Sequence, residues 1–151
     1  AAKQLQPRIR NQNAILEIIL NTAARRCEQE AIQLSLEIED FPMDFLSDMD
    51  TTTIFSNLLD NAIDACMELD RSVKRIEVVL CQKMGLLALR MTNTCQAAAD
   101  LSPRQWHSTK KDHMGIGLSN VRKTVEKYHG VVSVRTKEEL FQVSVTIPIK
   151  S

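Results

Sequence analysis

The amino-acid sequence predicts an α+β domain, in which one mixed β-sheet carries helices packed on one of its faces. Helical and strand-like hydrophobic periods follow one another in the order α-β-α-β-β-loop-α-β-β. The 151 residues fit a single domain, and 44% of them are hydrophobic, which is enough for a sizeable core. No internal repeat or domain-scale linker interrupts this order, so we expect one domain over residues 1–151.

The first half of the chain alternates between helical and strand-like patterns. Apolar residues recur at helical spacing from Ile9 to about Ala31 and predict a helix. Apolar and polar residues then alternate over residues 32–38, which predicts a strand. A second helix is expected to begin at Asp50 or Thr51 as the N-cap and to run to about residue 69.

A β-hairpin is predicted in the middle of the chain. Strand-like patterns cover Arg75 to Lys83 and Leu86 to Thr92, and the intervening Met84-Gly85 pair suits a two-residue turn. Residues 93–114 have no clear period. A long irregular segment of this kind is typical of a lid or binding loop.

The last part of the chain predicts a helix and two strands. The helix is expected from Leu118 to Tyr128, with Gly130 as its C-cap. Strand-like alternation follows from Val131 to Thr136 and from Leu140 to Ile149.

Charge and composition exclude several classes of function. Lys+Arg and Asp+Glu both number 19, so the chain lacks the basic excess typical of non-specific nucleic-acid binding. No apolar run approaches the ~20 residues of a membrane span. The four cysteines and three histidines show no spacing typical of a zinc site. Because the chain begins without Met, we expect it to be a fragment of a longer protein.

The predicted second helix carries an unusual set of polar residues. Asn57 and Asn61 are four residues apart, as are Asp60 and Asp64, so each pair projects from neighbouring turns. Asn is a poor residue for a helix interior. One explanation is a Mg²⁺ ion bound together with phosphates, since hard cations take oxygen ligands. The alternative explanation is an ordinary solvated helix face.

A second motif, Gly115-Ile116-Gly117-Leu118, opens the predicted third helix. Glycine allows a ligand to approach the backbone closely, and the free N–H groups of a helix start attract anions. Two hydroxyls and two lysines precede the motif over residues 108–111. Taken alone, a Gly-x-Gly sequence is also compatible with an ordinary loop.

Together these motifs resemble the GHKL nucleotide-binding family, which includes gyrase, Hsp90, MutL and sensor histidine kinases. Residues 57–65 (NLLDNAIDA) resemble its N-box. Residues 115–118 with the following 120–130 resemble its second glycine box and helix, and residues 143–148 resemble its last strand. The resemblance covers nearly the whole chain and implies a Bergerat-type two-layer sandwich, with about five strands and three helices on one face.

The resemblance implies that the chain binds ATP and Mg²⁺. Asn61 matches the family's metal-binding Asn. Asn57 occupies the position at which the ATP-hydrolysing members hold a Glu as general base, and a carboxamide cannot take up a proton near neutral pH. Asn57 therefore favours a kinase over a hydrolase. Asp60 is expected either to orient groups around the metal or the nucleophile, or to be a solvent-facing helix residue.

The remaining nucleotide contacts are also implied by the resemblance. Asn93 occupies the position of the Asp that accepts a hydrogen bond from the adenine amino group. The first glycine box, Asn93 to Ala97, lacks both of its glycines, and the second box has His113 in place of its first glycine. The further nucleotide-binding candidates are Asp64, Lys110, Met114, Gly115, Ile116, Gly117 and Leu118.

Agr-type peptide-pheromone receptor kinases are similar on all these counts. The implied function is transfer of the γ-phosphoryl group of ATP to a histidine on a separate dimerisation helix, with a response regulator as an indirect partner. None of His107, His113 and His129 fits the acceptor role, so residues 1–31 are expected to lead from an upstream dimerisation region. We expect the cytoplasmic part of a membrane-bound receptor that itself contacts neither membrane nor nucleic acid.

Two other functions stay compatible with the sequence. The missing glycines are compatible with an interaction module that keeps the fold without useful nucleotide binding. A GHKL kinase that phosphorylates Ser of a protein partner, as anti-sigma factors do, also fits the motifs.

Overall fold

The computed structural model describes residues 8–70, 73–96 and 112–149, with only the backbone described at 112–115. It confirms the α+β prediction and a five-stranded mixed sheet with three helices. No helix within these ranges is long and apolar enough to cross a membrane. The elements in chain order are α1 (Ala14–Gln29), β1 (Gln33–Ile38), α2 (Asp48–Met67), β2 (Arg75–Lys83), β3 (Leu86–Thr94), α3 (Asp112–Lys127), β4 (Val131–Lys137) and β5 (Leu140–Pro148).

The sheet has the strand order β1-β2-β3-β5-β4. β1 is parallel to β2, and the other neighbours are antiparallel. Alternate side chains of the three central strands are buried, because successive residues of a strand point to opposite faces. These inward residues are Ile76, Val78, Leu80, Leu87, Leu89, Met91, Phe141, Val143, Val145 and Ile147. They form one core with the buried faces of the helices.

All three helices begin at positions different from those predicted. α1 begins at Ala14 and not at Ile9, because the side chain of Asn13 accepts a hydrogen bond from Leu16 N at 2.9 Å and caps the helix. The prediction that Asp50 or Thr51 caps α2 was wrong, since the cap is Ser47. Ser47 Oγ accepts from the backbone N–H of Asp50 at 3.0 Å, which leaves the Asp50 carboxylate for another contact.

α3 begins at Asp112, six residues before the predicted start at Leu118. Gly115 and Gly117 therefore lie within the helix and not ahead of it. The free N–H groups of a helix start belong to its first four residues, here 112–115.

The end of α3 differs from the prediction in its mechanism. His129, and not Gly130, takes the left-handed conformation, with φ of 65°. The N–H of Gly130 bonds back to Val125 O at 3.0 Å, as in a Schellman ending. Gly130 is needed for space, since a Cβ there would lie 2.8 Å from Val125 Cγ1 and far inside the contact distance of the Thr146 carbonyl oxygen.

The Met84-Gly85 hairpin turn is confirmed. Both residues have positive φ, 54° and 78°, as a type I′ turn requires. Nothing lies within 4 Å of a Cβ built at Gly85, so this glycine serves only the backbone conformation.

A polar cluster joins the start of α2 to the end of α3, so the two helices run antiparallel. Asp50 is buried and forms an ion pair with Lys127 Nζ at 2.8 Å. It also accepts a hydrogen bond from the hydroxyl of Tyr128, whose ring packs edge-on against Phe45. Burial by itself would raise the pKa of Asp50, but the hydrogen bonds from Lys127, Tyr128 and Ser47 hold that pKa below its ordinary value.

We predict that Gly130→Ala destabilises the fold, at the upper end of the roughly 1–3 kcal/mol typical of overpacking, because the Thr146 backbone must move. The matched control is Gly85→Asn, which keeps a residue tolerant of positive φ in open space and should stay within about 0.5 kcal/mol of wild type. Urea unfolding midpoints measure both changes. Equal stability of Gly130→Ala and wild type would contradict the close approach of α3 to β5.

Tyr128→Phe should lower the free energy of unfolding by about 1.5–3 kcal/mol at neutral pH, because a hydrogen bond to a charged group is lost. The pKa of Asp50 is lower in the folded state than its ordinary 3.8, so its stabilisation is present above that value and is lost as the pH falls through the folded-state pKa. The difference between variant and wild type should therefore shrink in acid.

Asp50→Asn provides the control for that measurement. In a double-mutant cycle, Tyr128→Phe should cost much less when position 50 is already Asn. Additive effects of the two substitutions at neutral pH would show that the hydroxyl and the carboxylate do not interact.

Candidate functional site

Gly117 of α3 packs directly against the two predicted asparagines of α2. A Cβ built at Gly117 would lie 3.5 Å from Asn57 Oδ1, and 3.5 and 3.6 Å from Asn61 Nδ2 and Oδ1. The structure thus brings together the two motifs that the sequence singled out. The absence of a side chain at position 117 lets the backbone of α3 lie close to both amides.

The two amides differ in their hydrogen bonding. Asn57 Nδ2 donates to Thr53 O at 2.7 Å, within its own helix, and its Oδ1 is directed towards Gly117. Asn61 is 7% exposed, and its Nδ2 has no hydrogen-bond partner among the described residues. Leaving a buried donor unpaired costs on the order of 1–3 kcal/mol, so Asn61 Nδ2 retains the capacity for one more hydrogen bond.

The two carboxylates of α2 lie against α1 instead. Arg26 Nη1 contacts Asp60 Oδ1 at 3.0 Å, and Arg26 Nη2 contacts Asp64 Oδ1 at 3.7 Å. Partial burial raises the pKa of Asp60, and the neighbouring Asp64 charge adds to this, while Arg26 acts in the opposite direction. The structure therefore does not bring Asp60 to Gly117 together with the amides.

Asn93 lies at the buried end of β3, in register with Ile76 and Phe141 on the helix-facing side of the sheet. Its Nδ2 donates to Thr94 O at 2.9 Å. The carbonyl oxygen of this amide is thus the atom that can accept a hydrogen bond from a ligand. Cys66 at the end of α2 contacts the Thr94 hydroxyl at 3.6 Å and ties this strand end to the helix.

The other predicted site residues have different surroundings. Lys110 lies outside the described residues. Met114 and Gly115 lie in the first turn of α3, where the backbone alone is described. Ile116 is 61% exposed, whereas Leu118 is buried in the core, so Leu118 contributes packing.

The arrangement suits the binding of a metal-bound anion better than acid–base chemistry. Asparagine oxygens are suitable ligands for hard cations such as Mg²⁺, and the first turn of α3 offers N–H groups to an anion. The side-chain atoms nearest to Gly117 belong to amides, which do not take up protons near neutral pH. Sequence reasoning missed Arg26 and the Asp50–Tyr128 contact, since no local pattern shows which helices become neighbours.

Solved structures of histidine kinases share this fold. The catalytic domain of histidine kinase ThkA superimposes with a TM-score of 0.72 at 19% identity, covering 92% of this chain and 93% of that one. Acinetobacter baumannii histidine kinase AdeS gives a TM-score of 0.66 at 15% identity, covering 91% of this chain. Full-length ShkA in complex with AMPPNP gives 0.73 at 13% identity, covering 96% of this chain.

This chain spans 64% of the length of AdeS and 33% of that of ShkA. Comparison with curated proteins finds no match. The family model described as "GHKL domain" matches residues 46–148, which include α2, the whole hairpin, α3 and the last two strands. The chain therefore belongs to the GHKL domain family.

Proposed function

We propose that this chain is the catalytic domain of a sensor histidine kinase, which binds ATP with Mg²⁺ and donates the γ-phosphoryl group to a histidine on a separate helix. The observation that carries the proposal is the contact of Gly117 with Asn57 and Asn61, where a buried amide lacks a partner among the described residues. The fold shared with histidine kinase catalytic domains, and the AMPPNP bound to ShkA, support it.

Each part of the site has a role in this proposal. Asn61 would ligate Mg²⁺ through its Oδ1, once the amide turns to direct its oxygen at the ion. The metal, when bound, supplies charge neutralisation to the phosphates. The backbone at the start of α3 and Lys110 would contact phosphate oxygens. Asn93 would accept a hydrogen bond from the adenine amino group through the oxygen that its bond to Thr94 leaves available.

Asn57 favours phosphoryl transfer to a protein side chain over ATP hydrolysis. Its Nδ2 is already bonded to Thr53 O, and its amide cannot activate water. A histidine ring nitrogen needs no such base, because its lone pair can form the bond to phosphorus while the bond to the ADP oxygen breaks. The role of Asp60 near the nucleophile stays a prediction, because the contact that the structure shows for Asp60 is the ion pair with Arg26.

The setting of the domain in its full-length protein follows from the same proposal. The acceptor histidine would lie on a dimerisation helix in the same kinase, in cis or in trans, and a response regulator would receive the phosphoryl group afterwards. The N-box and Asn93 continue to favour the Agr-type receptor kinases, in which this domain would lie on the cytoplasmic side of a membrane receptor. Nucleic acid is not a partner in this proposal.

Asn61→Ala should weaken Mg²⁺-ATP binding about tenfold or more, because a metal ligand is lost. Isothermal titration of ATP with Mg²⁺, compared with ATP in EDTA, measures the effect. The exposed Asn120→Ala in α3 is the matched control and should bind like wild type. If Mg²⁺-ATP binds equally well to Asn61→Ala and to the control, the metal assignment is wrong.

Gly117→Ala should separate stability from binding. A Cβ at 3.5 Å from both amides is in ordinary contact, and Ala is favoured over Gly within a helix by about 1 kcal/mol, so the fold should be as stable as wild type or more so. The same methyl group fills the space beside the amides and should abolish the stabilisation by Mg²⁺-ATP, which is ~2.7 kcal/mol for wild type at 100 times the dissociation constant.

Thermal unfolding with and without nucleotide measures both effects of Gly117→Ala. Wild type without any nucleotide shift would instead indicate an interaction module that has lost the ligand.

Labelled ATP should transfer phosphate to a histidine when a longer version of the kinase supplies the upstream helix. The product should be labile to acid and stable to base, as a phosphohistidine is, and should be absent in Asn61→Ala. An acid-stable product on serine would assign the domain to the protein serine kinases of the family.

A further inference from the structure

The outer edge of β1 pairs with no described strand. β1 is the first strand of the sheet order, and within the described ranges no strand pairs with its outer side. Gln33 N bonds to Lys74 O at 2.8 Å, and Glu39 N bonds to Leu80 O at 2.9 Å, so odd-numbered residues direct their backbone groups to β2. The N–H and C=O groups of Leu34 and Leu36 consequently point away from the sheet.

β1 carries fewer protective features than the other edge strand. Natural edges carry Lys, Pro or bulges that discourage pairing with another chain. The opposite edge strand, β4, has Arg135 and Lys137. The sequence of β1, Gln-Leu-Ser-Leu-Glu-Ile, contains neither Lys nor Pro, and Glu37 is its single charged residue.

A groove of about 500 Å³ with both polar and apolar walls runs beside this edge, between β1 and α1, and Ile9 lines one part of it. Half-buried Leu34 and Leu36 form its strand side. The α1 side includes Ala24, Cys27 and Glu28, and Ala31 follows the helix. Among the described residues, the edge thus combines unpaired backbone groups with the two leucines.

The described N-terminal segment does not close the edge. Ile9 N and Ile9 O bond to the side chain of Asn21, at 3.1 and 2.9 Å, and Asn11 N bonds to Glu17 at 2.9 Å. These contacts hold the segment to α1 and not to the backbone of β1.

We propose that β1 pairs antiparallel with β1 of a second copy of this chain, about a two-fold axis at Ser35. Leu34 and the partner's Leu36 would exchange backbone hydrogen bonds, since both direct these groups outward. Ser35 would face the partner's Ser35 in a non-hydrogen-bonded pair. The two sheets would join into one of ten strands, and the leucines of both copies would share the groove.

The charges of β1 favour this register over its neighbours. Glu37 would lie opposite the partner's Gln33, a neutral hydrogen-bonding side chain. A two-fold axis at Glu37 would set two carboxylates opposite each other, and an axis at Leu36 would make them diagonal neighbours. If the register shifted by one residue, the outward-pointing backbone groups of one copy would face residues of the other copy whose backbone groups are already bonded to β2.

Ser35→Cys tests the register directly. Cα atoms of a non-hydrogen-bonded pair are about 4.5 Å apart, within the range of a disulfide, so mild oxidation should link two copies through this position. Glu37→Cys is the matched control. In the proposed dimer the two Cα atoms of position 37 would be four residues apart along the strands, about 13 Å, which is too far for a disulfide. Cys81 and Cys95 are partly exposed, so the wild-type chain sets the background of crosslinking.

Ser35→Lys tests the association itself. Ser35 is exposed, so the substitution should leave the thermal stability of a dilute monomer unchanged while placing two lysines opposite each other in the dimer. In sedimentation equilibrium the wild-type mass should rise towards twice 17.1 kDa with concentration, and that of Ser35→Lys should not. The proposal is overturned if the wild-type chain stays monomeric and Ser35→Cys crosslinks no more than the Glu37→Cys control. The same result is expected if residues before Ile9 cover the edge.

Discussion

The position of α3 across α2 is the constraint on which the rest of the site depends. The two helices are fixed at two points about ten residues apart along α3, or ~15 Å. At one point the buried Asp50 holds Lys127 and Tyr128. At the other point Gly117, with no side chain, lies against the amides of Asn57 and Asn61. Burial strengthens the first contact, because little water competes for the carboxylate. The missing side chain allows the close approach of the helices at the second contact.

The amides and the carboxylates of α2 lie on different flanks of the helix. The amides of Asn57 and Asn61 face α3, whereas the carboxylates of Asp60 and Asp64 meet Arg26 of α1. The ion pairs neutralise part of the negative charge near a surface that we propose to receive phosphates, and they secure α1 to the central helix. The helix therefore presents neutral amides to one neighbour and an ionic contact to the other. This separation suits a site that neutralises charge and does not transfer protons.

Much of the fold could be predicted from local patterns. The alternation of β2 and β3 and the Met84-Gly85 turn were confirmed, because strand period and turn chemistry act within a few residues. Helix boundaries were less predictable. Ser47 caps α2 through the backbone N–H of Asp50, and the Asp50 carboxylate contacts Lys127 and Tyr128, nearly eighty positions away. At the end of α3, Gly130 is required by the approach of β5 and His129 supplies the turn, a distinction that depends on tertiary packing.

The sequence by itself determined the order of elements, the family resemblance and the two motifs, since residue type and spacing carry that information directly. Only the tertiary structure decided which motif residues meet. Asn57, Asn61 and Gly117 come together because α3 packs on α2, and Asp60 is directed to Arg26 because α1 packs on its other flank. Asp60 and Asn61 are adjacent in the sequence, which does not show which helix each will contact. The neighbours on each flank follow from the burial of the whole apolar surface.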